Sequence, residues 1–203
     1  MELLLIRHAE PIKVVDASGP ADPALGARGQ RQAELLANYL GSEGLDAVCA
    51  SPMRRAQETA LTLAGPIGLP VVTVDGLAEF DRLSTTYIPI EEMRATKDER
   101  FLAMLNDDFS LYGIDMVEFK RQVAATVEAI IEENAGRRVA AVCHGGVINA
   151  YVGHILGVTR HSFFAPDYTS FNRVAASRSG VRSLLRLNEV GHLRGQQLLT
   201  STV

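Results

Sequence analysis

Four short apolar runs in this chain each end abruptly in chemically capable residues, and that pattern constrains the fold more than any other feature. Residues 3–6 stop at Arg7-His8, and residues 46–50 stop at Ser51-Pro52-Met53-Arg54-Arg55. Residues 71–74 stop shortly before Glu79, and residues 138–143 stop at His144-Gly145-Gly146. Runs this short and this sharply bounded read as buried strands of a mainly parallel sheet. In an open α/β sheet, the carboxyl ends of the strands meet at one crevice. Residues far apart in the chain are therefore expected to share one site.

Between the runs, apolar residues return at helical spacing. Ala33, Leu36, Ala37 and Leu40 predict a helix from about residue 27, closed by Gly41 and Gly44. Ser51 and Pro52 suit the N-cap and first position of a second helix, with Ala56, Ala60, Leu63 and Ala64 inward and Gly65-Pro66 as its stop. A mixed helix is expected around residues 91–106. A stronger one is expected over 115–134, capped by Asp115, with Phe119, Val123, Val127, Ile130 and Ile131 on one face and Gly136 beyond its end. A helix should also follow His144-Gly145-Gly146, to about residue 156. Residues 170–176 and 181–187, joined by Ser177-Arg178-Ser179-Gly180, read as a hairpin. Strands alternating with helices predict an α/β fold: a three-layer αβα sandwich around a mainly parallel sheet with an antiparallel edge strand. Nothing in the composition breaks the chain, so residues 1–203 read as one domain, with a small helical cap insertion at about 80–113.

Composition narrows the partners. The 203 residues are 47% hydrophobic, enough for a full core, and the net charge is −4. A mildly acidic chain has no electrostatic footprint for nucleic acid, so a bound anion must be held by a local basic pocket. Cys49 and Cys143 each lie at the end of an apolar run and are expected to be buried and reduced; two cysteines give neither a disulfide framework nor zinc spacing. The apolar run near Met1 is too short for a signal peptide core, and no stretch is long enough to span a bilayer. A cytoplasmic protein without membrane contact is expected. Its oligomeric state is unspecified, and a homodimer stays open.

The residues at the strand ends form a chemically coherent set. Arginine presents a planar fork of donors that fits phosphate oxygens. A helix beginning at Gly145 offers backbone N–H groups to the same anion. Imidazole is a nucleophile near neutral pH, and a carboxylic acid can protonate a departing alkoxide. Taken singly, each has a plainer reading: a surface Arg-His pair, a His-Gly-Gly turn, a solvated arginine face, a salt-bridged glutamate. Their joint placement is what points to a phosphoryl-transfer site.

The same residues carry a resemblance. Arg7-His8-Ala9-Glu10 resembles the Arg-His-Gly signature of the histidine phosphatase superfamily, the phosphoglycerate-mutase-like group. Gly29-Gln30-Arg31-Gln32-Ala33 is similar to its Gly-x-x-Gln-Ala, and the segment from Ser51 to Ala60 to its Ser-x-x-x-Arg-Ala-x-x-Thr-Ala. Cys143-His144-Gly145-Gly146 is similar to its second His-Gly motif, and Asn188 with His192-Leu193 to its C-terminal Asn-x-x-x-His-Leu. Three departures stand out: Ala9 replaces the usual glycine, Val14 stands where asparagine is frequent, and Phe80-Asp81-Arg82-Leu83-Ser84 replaces the Gly-x-x-Glu-Gly that often follows the acid.

The resemblance implies that His8 is the phosphorylated nucleophile, that Arg7 and Arg55 clamp the phosphoryl oxygens, and that His144 stabilises the transferring group. Glu79 would be the proton donor, with Asp81 as the nearest substitute. No cofactor and no metal are implied. The expected function is hydrolysis of a small phosphorylated metabolite through a phosphohistidine on His8. A phosphoglycerate mutase and a non-catalytic phosphate binder are the alternatives. A mutase must shield its intermediate from water in a closed basic pocket. Between Asp75 and Gly113 the basic residues are only Arg82, Arg94, Lys97 and Arg100. Selectivity is expected to lie in residues 80–113 and in the loop 163–168.

Overall fold

A computed structural model describes residues 1–196 and 198. Six strands form one sheet: β1 (Glu2–Arg7), β2 (Ala47–Ala50), β3 (Val71–Thr73), β4 (Arg138–Cys143), β5 (Phe171–Ala176) and β6 (Arg182–Glu189). Their order across the sheet is β3-β2-β4-β1-β5-β6. β1, β2, β3 and β4 pair in parallel, whereas β5 pairs antiparallel with both β1 and β6. The closing hairpin thus lies at one margin of the sheet, as its turn residues imply.

The alternation along β1 sorts the core into two layers. Leu3 and Leu5 join the cluster beneath α5 (Met116–Glu133) and α6 (Gly145–Leu156). Leu4 and Ile6 face α1 (Ala27–Leu40) and α2 (Arg54–Ala64). All four side chains are inaccessible to solvent, and each burial stabilises the fold by about 2 kcal/mol. A strand covered on both faces has no polar side to show, which is why β1 reads as a continuous apolar run. Cys49 and Cys143 are buried and free within this core. No helix among the described residues is long and apolar enough to cross a membrane.

Two local expectations need correction. The second helix starts at Arg54 with Met53 as its N-cap, not at Ser51-Pro52. The Ser51 hydroxyl accepts the Met53 N–H at 3.2 Å and lies 2.7 Å from His144 Nε2, so it serves the neighbouring site instead. The mixed helix around 91–106 is two short helices, α3 (Ile90–Thr96) and α4 (Glu99–Leu105). Lys97 adopts φ +53°, which ends α3, and the Asp98 carboxylate accepts the Arg100 N–H to cap α4. A local cap thus outcompeted a weak apolar periodicity. Asp115 caps α5 as expected, through the Val117 and Glu118 N–H groups, and Gly157 closes α6 in the left-handed region.

Candidate active site

The carboxyl ends of β1, β2 and β4 meet beneath the segment 75–113, and a cavity of about 490 Å³ opens there. Arg7, His8, Arg55, Glu79 and Gly145 all line it. His144 is more deeply set, 1% exposed, with its ring centroid 5.1 Å from that of His8. The structure therefore brings Arg7, His8, Arg55, Glu79, His144 and Gly145 together, whereas Arg54 is exposed and pairs with Glu58.

His8 is held by its backbone and by one ring nitrogen. Its N–H donates to Cys143 O at 2.9 Å, across the β1–β4 seam. Its Nδ1 lies 2.7 Å from Ala9 O. A carbonyl can only accept, so Nδ1 carries the proton and Nε2 keeps its lone pair. That Nε2 receives the Arg55 Nε–H at 3.3 Å. Burial, then the charges of Arg55 and Arg7, hold the His8 pKa well below the ordinary imidazole value. His8 is thus neutral around pH 7, with its lone pair on Nε2, turned toward Arg55.

The first motif on α1 supports this strand end. A side chain at Gly29 would collide with the Glu10 backbone, so only glycine lets α1 approach so closely. Gln32, fully buried, accepts the Glu10 N–H at 2.9 Å, and Ala33 packs on Ala9. Among the described residues, positive φ outside glycine is confined to Asp16, Lys97, Asp107, Thr169 and Asn188, so Ala9 can replace glycine without strain. Its N–H donates to Thr59 Oγ1 on α2.

Two arginines flank His8 in different settings. Arg7 stacks over the Tyr168 ring at 3.8 Å and donates through Nη1 to Pro166 O. Arg55, 1% exposed, lies over Tyr87 at 4.6 Å and donates through Nη2 to Asp81 at 3.1 Å. Arg7 Nε, Arg55 Nη1 and His144 Nδ1 are buried without a hydrogen-bond partner. Such orphaned polar atoms are rare in folded proteins and call for an explanation. Gathered near the His8 imidazole, they suit an anion's oxygens.

The two acidic candidates divide cleanly. Asp81 is committed to the Arg55 guanidinium. Glu79 is 8% exposed; its Oε2 accepts the Gly146 N–H at 2.7 Å and its Oε1 the Phe80 N–H at 3.1 Å. Burial and the nearby Asp81 charge push its pKa up to about 7, although the Gly146 and Phe80 N–H groups and Arg55 pull the other way. Close to neutral pH, Glu79 can give or take a proton.

The tightness of this corner is itself testable. A methyl group on Gly146 would overlap Glu79 Oε1 and come within 2.8 Å of the Phe80 ring, whereas one on Gly145 would meet only Pro166 at 3.7 Å. Gly146→Ala should therefore lower stability by about 1–3 kcal/mol. Gly145→Ala should be neutral or stabilising by up to about 1 kcal/mol. Denaturant unfolding of the two variants checks the contrast; equal losses would contradict this packing.

Several residues make contacts that the sequence reading did not assign to them. Tyr87 is brought under Arg55 because its backbone pairs with Val14, so the position departing from the family pattern has a structural use. Ser51 contacts His144, and Asp81 orients Arg55. Asn188 exchanges hydrogen bonds with Asp167, and His192 Nε2 lies 2.9 Å from Thr169 Oγ1. Both brace the loop whose Pro166 carbonyl and Tyr168 ring hold Arg7. The Asn188 and His192 signals were visible as motif residues; the Tyr87 contact had no local signature.

A model of the histidine phosphatase superfamily (branch 1) matches residues 3–190, nearly the whole chain. The chain belongs to the histidine phosphatase superfamily, branch 1. It is 29% identical to a protein named phosphoserine phosphatase 1 from Hydrogenobacter thermophilus, covering 95% of this chain and 94% of that one. It is also 29% identical to a protein named probable phosphoglycerate mutase from Yersinia enterocolitica, over 80% of this chain and 78% of that one. Among solved structures, the fold is similar to phosphoserine phosphatase from Entamoeba histolytica, crystallised with phosphoserine: TM-score 0.74, 22% identity, covering 95% of this chain and 98% of that one. Mycobacterial glucosyl-3-phosphoglycerate phosphatase shares it as well, with TM-score 0.72, 21% identity and coverage of 93% and 99%. These relatives therefore carry both hydrolase and mutase names, and the choice between them rests on the site.

Proposed function

We propose that this family member is a phosphomonoester hydrolase whose nucleophile is His8. The observation that carries this reading is the group of buried nitrogens without hydrogen-bond partners, Arg7 Nε, Arg55 Nη1 and His144 Nδ1, near a histidine whose Nε2 keeps its lone pair and turns it toward the Arg55 guanidinium. In the first step, Nε2 bonds to phosphorus and the bond from phosphorus to the leaving oxygen breaks. The Glu79 carboxyl gives its proton to that oxygen, so a neutral alcohol departs. In the second step, the Glu79 carboxylate takes a proton from water while the water oxygen bonds to phosphorus. The P–N bond breaks, its electron pair returns to Nε2, and inorganic phosphate leaves.

Arg7, Arg55 and His144 stabilise the charge spread over the equatorial oxygens during each transfer. Gly145, at the first position of α6, presents the positive end of that helix to the same anion. Asp81 fixes the Arg55 fork rather than moving a proton.

Hydrolysis is favoured over the mutase reaction by the cap's charge. Arg82 is paired with Asp75 and Arg100 with Asp98, and Arg94 is the cap's one basic residue, among those described, on the cavity wall. The cavity is also lined by Glu79, Asp81, Glu91 and Asp167, a poor setting for a carboxylated phosphoglycerate. Purified protein given a panel of phosphomonoesters should release inorganic phosphate, and should do so undiminished in EDTA. Interconversion of 2- and 3-phosphoglycerate without phosphate release would favour the mutase, and a loss restored by added zinc or magnesium would reject the mechanism. Arg55→Ala removes contacts that strengthen as charge redistributes, so a loss of about hundredfold or more in kcat is expected. Turnover near that of the parent would place the anion elsewhere.

A further inference from the structure

The phosphoryl end of the cavity is polar, but most of the cavity is not. Away from His8 its wall is built from Phe80, Ile90, Met93, Phe101, Met104 and Phe109, contributed by the segment after Glu79, by both cap helices and by the turn that follows them. Met93, Met104 and Phe109 form a small core of their own, with Phe80, Ile90 and Phe101 packed against it. Phe80 follows the proton donor directly, and its ring meets Phe109 and Tyr112 edge-on at 5.3 and 5.0 Å. The apolar wall therefore begins where the leaving oxygen must stand and continues into the cap.

The charged groups near that wall do not suit an anionic leaving group. Glu91 lies 4.0 Å from Arg7, and Asp81 holds Arg55, so carboxylates already sit beside both phosphoryl-binding arginines. His161, at the far side, is boxed by Phe80, Phe109 and Phe119. Burial there pushes its pKa down to about 4, so it offers no positive charge near pH 7. Arg94 lies over the Phe101 ring at 6.0 Å, on the cap side.

We propose that the cavity selects phosphomonoesters of bulky apolar or aromatic alcohols and disfavours small substrates that carry a carboxylate beside the phosphate. This rests on the hydrolase reading above and deepens it. The volume, about 490 Å³, falls in the range of sites that enclose a drug-sized ligand, with apolar walls and few polar groups.

A series of primary alkyl phosphates from ethyl to octyl tests the inference, because the leaving group's acidity barely changes along it. Each added methylene that enters the cap should raise kcat/KM by about fourfold. Phosphoserine and 3-phosphoglycerate should lie on the order of a hundredfold below hexyl phosphate, the accumulated effect of that series. Ile90→Lys and Leu105→Lys alter cavity-lining positions that are already partly exposed, and each should flatten the series and improve phosphoserine relative to hexyl phosphate. A flat series in the unaltered protein, or a preference for the carboxylated substrates, would overturn the inference while leaving hydrolysis through His8 intact. Binding of ethyl- and hexylphosphonate, followed by calorimetry, reads the apolar wall without any turnover. Tighter binding of the hexyl compound supports the inference even if no ester is cleaved, a result that would reject the hydrolase reading alone; equal binding would reject the inference.

Discussion

Protein quenched in alkaline detergent during turnover of a phosphate-labelled ester should carry base-stable, acid-labile label on His8, and His8→Ala should carry none. Turnover in that variant should fall by about 10⁴-fold or more, the scale on which enzymes lose activity when an essential nucleophile is removed. The structure makes the expectation finer, because the two ring nitrogens are not equivalent. Nδ1 is occupied by Ala9 O, and Nε2 is the nitrogen that meets Arg55. The phosphoryl group should therefore be on Nε2, which nitrogen–phosphorus coupling in a ¹⁵N-histidine sample can read. The tautomer has a physical origin in the chain's path: Ala9 turns so that its N–H reaches Thr59 and its carbonyl faces its neighbour's ring. Label on a serine or an aspartate would end this mechanism. Label on Nδ1 would mean that the imidazole turns over before it reacts.

Glu79→Gln should slow hydrolysis of alkyl phosphates by about 10²- to 10⁴-fold, the usual range for a general acid, and that of nitrophenyl phosphate far less. Nitrophenolate leaves without help, whereas an alkoxide needs the proton. Asp81→Asn should weaken both substrates together, since Asp81 acts through Arg55. If the split between leaving groups followed Asp81 instead, the acid would be misassigned.

The pH dependence follows from the same carboxyl. With a pKa of about 7, Glu79 loses its proton on the alkaline side of neutrality, so kcat/KM for alkyl phosphates should fall as pH rises through that value. His8, held well below the ordinary imidazole pKa, should impose no limb in this range. Stability should move with it. Glu79 binds its proton more tightly folded than unfolded, so its contribution is full below the ordinary value of 4.5 and is lost as pH rises towards about 7. The total loss is about 3 kcal/mol for a shift of this size. Glu79→Gln should remove that component of the pH profile, and an unchanged profile would show that the carboxyl is not strained by burial.

The sequence by itself determined the elements, which depend on short-range physics, and pointed to the shared crevice, which follows from their parallel connectivity. Burial on both faces forces apolar runs on β1 and β4, helical burial forces the 3.6 period of α1, α2 and α5, and parallel connectivity collects the strand ends. That was enough to place Arg7, His8, Arg55, Glu79 and His144 around one site and to show their family motifs. Local pattern was not enough for the start of α2 or the break between α3 and α4, where single hydrogen bonds at Ser51 and Asp98 compete with weak periodicity.

What only the tertiary structure decided concerns pairs distant in the chain. Glu79 meets the Gly146 N–H while Asp81 meets Arg55, although the two acids are adjacent in every sequence-level respect. The division arises because their side chains enter different packed surroundings, one against the start of α6 and one against α2. Likewise, expecting selectivity in residues 80–113 did not say which apolar side chains of that segment face the cavity rather than only each other. Their orientation follows from how two short helices dock over the sheet, and side-chain periodicity in segments so short does not specify the face on which they pack.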